Sequence, residues 1–206
     1  MVVDLVELPS PRRVLLSLLI FAVLYAALLA VWFKTSERYA GVVSWTATRA
    51  AFPIAGVSGS VSSVKAPVVS LVYVLPDVRT GGWARVRQRL LNFPDLPLAI
   101  AGGLALYFLA WKRRLLATAL TVLVLFLSHV GLVTYSAKRL GDLLARPEIT
   151  AVQLNDLLPD TAEAMNEYGD VSPVLVFAVL GTAAAVLSRR RASGPVRRDE
   201  PTSVKE

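Results

Sequence analysis

The sequence predicts a membrane all-α protein. It has four transmembrane helices, a small extracytoplasmic β-rich insertion between helices 1 and 2, and an amphipathic helical segment between helices 3 and 4. Three observations predict this. Of 206 residues, 55% are hydrophobic, more than a soluble domain carries by a broader count. The apolar residues gather in four charge-poor runs instead of recurring at helix or strand period. The ends of those runs assigned to the cytoplasm carry only cations: Arg12 and Arg13, Lys112 to Arg114, and Arg189 to Arg191. Positive charges close to a spanning helix resist translocation.

Residues 1–13 form a cytoplasmic lead. Val14 to Phe33 is a run of 20 residues without charge. It is too long for a signal-peptide core and lacks an Ala-x-Ala cleavage pair, so it is read as helix 1, with Trp32 and Tyr39 at the outer interface. Residues 34–95 form the first extracytoplasmic connection. Ser44 to Phe52 suits an interfacial helix, ended at Phe52-Pro53 because the residue before proline is pushed out of the helical region. The Val- and Ser-rich stretch from Val57 to Val74 predicts two strands around Lys65-Ala66-Pro67. Thr80-Gly81-Gly82 marks a turn. Trp83, Arg85, Arg87 and Arg89 alternate with Ala84, Val86 and Gln88, which predicts a third strand with one basic face.

Residues 96–111 form helix 2, entered through Asn92-Phe93-Pro94. At 16 residues it would span about 24 Å as a helix, short of a core of about 30 Å. Local bilayer thinning or a half-buried start is the expected remedy. Residues 112–114 form the cytoplasmic turn and 115–135 helix 3. Residues 136–170, with three cations against seven anions, form the second outer segment. Leu140, Leu143 and Leu144 continue helix 3 as an amphipathic piece, and short helices are expected over 148–158 and 161–168. Residues 171–188 form helix 4, and 189–206 a disordered cytoplasmic tail. Both termini therefore lie in the cytoplasm.

Composition excludes several chemistries. There is no cysteine, hence no disulfide, thiolate nucleophile or cysteine-ligated metal, and the single histidine rules out a multi-histidine metal cage. No Walker, Rossmann, HExxH or GxSxG motif is present. No cofactor is expected. The net charge of +7 sits beside apolar runs, which points to orientation signals and anionic membrane lipid, not to nucleic acid.

Three groups of residues remain as candidates. His129, with Ser128 and Tyr135, is a possible intramembrane polar site, since an ionisable group in an apolar run is a functional hypothesis. The plainer and preferred reading is a neutral histidine hydrogen-bonded to a neighbouring helix. A proton relay would want a carboxylate partner, and no apolar run contains one. Arg85, Arg87 and Arg89 offer a contact for an anion or an acidic partner, or else a solvated strand face. Ala99, Gly102 and Gly103 form a flat face for close helix packing. Glu163 and Glu167, one helical turn apart, lack a third group to complete a site and are read as surface.

The order of these features resembles the exosortase-associated membrane proteins, particularly those accompanying exosortase H. The likeness rests on Phe52-Pro53, the Val57-to-Val74 hairpin, Asn92-Phe93-Pro94, the Lys112-to-Arg114 turn, the amphipathic outer segment and the closing Arg189-to-Arg191. The resemblance implies a bacterial inner-membrane accessory in sorting or anchoring exported proteins. It supplies no catalytic motif, and exosortases resemble transpeptidases that need a cysteine. The expected function is therefore a non-catalytic accessory or scaffold that binds another membrane protein, with oligomerisation open. Two alternatives stand beside it: a small transporter or channel component using His129, and a membrane enzyme using outer residues such as Arg85, Glu163 and Asp170.

Overall fold

A computed structural model describes residues 11–66, 68–89, 95–106, 109–148 and 171–187. Helix α1 runs Pro11–Thr46, passes through a π-helical turn at Ala47–Ala51 and continues as the single turn α2, Phe52–Ala55. Three strands follow, β1 Ser60–Ala66, β2 Val68–Asp77 and β3 Gly82–Arg89. Helix α3 spans Asp95–Leu104, α4 Trp111–Leu144 and α5 Val171–Leu187.

Among the described residues two helical stretches, α1 with its continuation and α4, are long and apolar enough to cross a membrane. In α1 the most apolar stretch has no buried residue. Leu15, Leu18, Leu19 and Val23 are all exposed. A helix apolar on every side and uncovered by protein suits hydrocarbon surroundings, not water. At 36 residues, α1 is about 54 Å long, well beyond a core of about 30 Å, so much of it projects.

That projection departs from the expected end of the helix near Phe33. The reason is periodicity. Trp32, Ser36, Ala40, Val43 and Ala47 are all buried at spacings of three and four, while Lys34 and Arg38 stay exposed on the other side. The charges thus mark one face of a continuing helix, and Trp32 is a core residue. Nor does Phe52-Pro53 end the helix. Pro53 occupies the first turn of α2, where a missing N–H costs little, and the preceding π turn takes up the mismatch. The chain leaves the helix at Gly56, whose φ of 68° is a left-handed C-cap conformation.

The strands form an antiparallel sheet in the order β1-β2-β3. Tyr73 pairs with Val61 and with Val86. One face carries Val61, Leu71, Tyr73, Leu75 and Val86, all buried, against the projecting parts of α1 and α4. There Val133, Ala137, Leu140 and Leu144 of α4 complete the core. The sheet, too small to stand alone, is held by the two long helices.

The expected second helix divides differently. Helix α3 ends at Leu104, and Trp111 opens α4, so Lys112 to Arg114 lie in the first turn of a helix and not in the turn between two. Two pairs set α3 against α4: Asp95 with His129, and Gly103 with Thr118. The level of Asp95 is thus 18 residues along α4 from Trp111, about 27 Å. A ten-residue helix covers about 15 Å of that distance. Ala110 takes an extended N-cap conformation, and its carbonyl accepts from the N–H groups of Arg113 and Arg114. Helix α4 continues past Tyr135 to Leu144, and α5 lies antiparallel to it, with Arg113 Nη1 donating to the Leu187 carbonyl at 2.5 Å. The expected helices over 161–168 and most of 148–158, and the tail from 188, lie outside the described residues.

Candidate functional site: a buried tyrosine–histidine–aspartate cluster

Along α4 one stripe faces the interior: Leu125, His129, Val133, Ser136 and Leu140 are wholly buried, at the three-and-four spacing of a helix face. His129 interrupts this stripe with a ring that needs two partners, and it finds one on each side. The Tyr39 hydroxyl of α1 lies 2.6 Å from Nδ1. The Asp95 carboxylate Oδ2, at the first residue of α3, lies 3.0 Å from Nε2. One histidine therefore ties together three helices.

The histidine and the aspartate are sealed. His129 has 0% and Asp95 2% of its surface exposed. Tyr39 is half-buried and is held by an aromatic girdle, with ring centroids 5.2 Å from Trp32 and 6.3 Å from Phe126. Two proton arrangements satisfy the ring. With neutral histidine, Tyr39 O–H donates to Nδ1 and Nε2–H donates to Asp95. With imidazolium, both ring N–H groups donate, to the tyrosine oxygen and to the carboxylate. Either way the carboxylate has a donor, which a buried charge requires.

Of the residues expected beside His129, Ser128 donates its hydroxyl to the Val124 carbonyl at 2.9 Å. Tyr135 is exposed beneath the Arg139 guanidinium, 6.0 Å from its ring centre. The structure brings neither to the histidine. Tyr39 and Asp95 are the residues that sequence reasoning missed. Asp95 lies one residue before an apolar run, so a search for a carboxylate inside the runs passes it by. Its signal was an acid opening a helix, where the helix dipole favours negative charge.

The packing residues fall between helices. Ala99 is buried. A Cβ on Gly102 would stand 2.9 Å from Leu180 Cδ1, and one on Gly103 would overlap the Thr118 side chain. On the sheet, Trp83, Arg85 and Arg87 share the outward face and are exposed. Val72, Val74 and Pro76 stand opposite them in register. Arg89 ends β3, and its side chain is outside the described residues, as are Glu163, Glu167 and Asp170. A cleft of about 230 Å3 separates the C-terminal end of α4 from the sheet, with Lys138 and Asp142 among its lining residues. Among the described residues no group of three acids or histidines could hold a metal ion.

At the β2–β3 turn, Asp77 accepts from Arg79 Nε and Nη2, each at 2.8 Å. This pairing holds the Asp77 carboxyl below its ordinary value despite some loss of solvation. Inside the sheet core, burial raises the Tyr73 phenol well above its ordinary value, while the neighbouring Ser136 hydroxyl acts the other way. Neither hydroxyl reaches hydrogen-bonding geometry.

No family model matches the chain, and no curated protein or solved structure matches it.

Proposed function

We propose that this chain is a non-catalytic accessory subunit of a bacterial membrane complex, one that docks another membrane protein through the outward face of its sheet. The observation that carries this reading is the placement of Trp83, Arg85 and Arg87 on one exposed sheet face, backed by a core that joins the sheet to two long helices. An aromatic ring among arginines, held on a rigid support, has the composition of an interface centre. The chain crosses the inner membrane four times with both termini in the cytoplasm. It serves the sorting or anchoring of exported proteins, as the exosortase-associated resemblance implies. The cation-only ends of its apolar runs and the exposed apolar surface of α1 support that topology.

In this reading the Tyr39–His129–Asp95 cluster is a structural clamp. One observation favours a second reading: Asp95 supplies the carboxylate that a proton relay through His129 would need. Against it, His129 and Asp95 have 0% and 2% of their surface exposed, so any exchange with water would run through the half-buried Tyr39 hydroxyl.

The test is co-purification from native membranes of the wild-type chain and of the Arg85→Glu/Arg87→Glu variant. The reading predicts a stoichiometric membrane-protein partner on the wild type, weakened by salt and lost from the variant. The same bound proteins on both would refute it.

A further inference from the structure

Between α4 and α5 lies an apolar groove of about 590 Å3, open along one side and within the range of small-ligand sites, about 300–1,000 Å3. Leu116, Leu120 and Val124 of α4 form one wall, and Ala178, Thr182 and Ala183 of α5 the floor. The groove exists because small side chains on α5 face large ones on α4. Its one hydroxyl, on Thr182, donates to the Ala178 carbonyl at 2.8 Å, so the lining is apolar in effect. From Leu116 to Val124 is eight residues, about 12 Å, most of one leaflet's share of a core of about 30 Å.

Cations close one end. Lys112 lies one turn before Leu116 on the same helical face and is exposed. Arg113 pins the end of α5 through the Leu187 carbonyl. Helix α4 has no carboxylate before Asp142, and α5 has none. An apolar slot one leaflet deep, with positive charge at its mouth, complements an acyl chain joined to an anionic headgroup.

We propose that this groove binds one anionic phospholipid, an acyl chain lying along Leu116 to Val124 and the phosphate at Lys112 and Arg113. The inference rests on α4 spanning the membrane and not on the docking role. Exchange of one hydrocarbon surround for another is nearly neutral. Headgroup selectivity therefore comes from the cations, about fivefold for each one near an anionic headgroup.

The experiment is native mass spectrometry of the full chain purified in mild detergent and offered phosphatidylglycerol or phosphatidylcholine. The wild type should retain one phosphatidylglycerol in preference to phosphatidylcholine. Lys112→Ala, an exposed change that leaves the helix packing intact, should cut that preference about fivefold. Ala183→Phe should fill the groove and abolish retention. Equal retention of the two lipids, or an undiminished preference in Lys112→Ala, would overturn the proposal. So would a dimer abolished by Ala183→Phe, because a second copy would then occupy the groove. A chain washed off membranes by alkaline carbonate would instead overturn the spanning of α4 on which the inference rests, whatever its lipid preference.

Discussion

If the clamp is structural, removing either half of the His129–Asp95 pair should be far worse than removing both. In His129→Leu the Asp95 carboxylate stays at 2% exposure without its imidazole donor. Breaking a buried pair in this way costs about 3–5 kcal/mol. Asp95→Leu strands Nε2–H inside the core at a cost of about 1–3 kcal/mol, more if the ring is charged. The double variant replaces both with hydrocarbon of similar volume, which in comparable cases is neutral or stabilising by about 1–4 kcal/mol. For a chain of this size about 1 kcal/mol moves the thermal midpoint by about 2–4 °C. His129→Leu should therefore melt about 6–20 °C lower, and the double variant at or above the wild type. Thermal scans of the four proteins in lipid nanodiscs measure this cycle. Effects that add to within about 0.5 kcal/mol would show that the two residues do not act as a pair and would refute the reasoning. The same double variant separates the two functional readings: a clamp keeps activity with both leucines, whereas a proton relay loses it at unchanged stability.

Other outcomes follow from single contacts. Gly103→Ala drives a methyl into Thr118 and should cost about 1–3 kcal/mol by overpacking, relieved in thermal scans when Thr118→Gly is added. Tyr73→Phe removes a buried hydroxyl that makes no hydrogen bond. It should leave the midpoint unchanged or raise it, and a fall of several degrees would show that the hydroxyl has a partner. Because Asp77 has a depressed carboxyl in the folded chain, its contribution is present above the unfolded value of about 3.9 and is lost as pH falls through the folded value. The gap in thermal midpoint between wild type and Asp77→Asn should accordingly be constant at neutral pH and close below about pH 4.

Local pattern made much of the sheet legible. The alternation in Val57 to Val74 and in Trp83 to Arg89 is a property of neighbours, and strands that follow each other so closely in sequence pair antiparallel. The continuation of α1 beyond Phe33 was hidden because Lys34, Glu37 and Arg38 read as a membrane exit. Only the burial of Ser36, Ala40 and Val43 shows that these charges occupy one face. The shortness of α3 was hidden too, since Ala105 to Ala110 is apolar whether helical or not. The Tyr39–His129–Asp95 cluster joins residues 90 and 34 apart in sequence, and no spacing rule connects them. Its members had individual signals, an intramembrane histidine and an acid opening a helix, but the contact belongs to the packing of three helices.

The docking claim is tested most directly by placing a photocrosslinking phenylalanine analogue at Trp83 and irradiating intact native membranes. The account predicts one discrete adduct with another membrane protein, lost when Arg85→Glu and Arg87→Glu are present. Crosslinks only to lipid, or an adduct that persists with both arginines reversed, would contradict it.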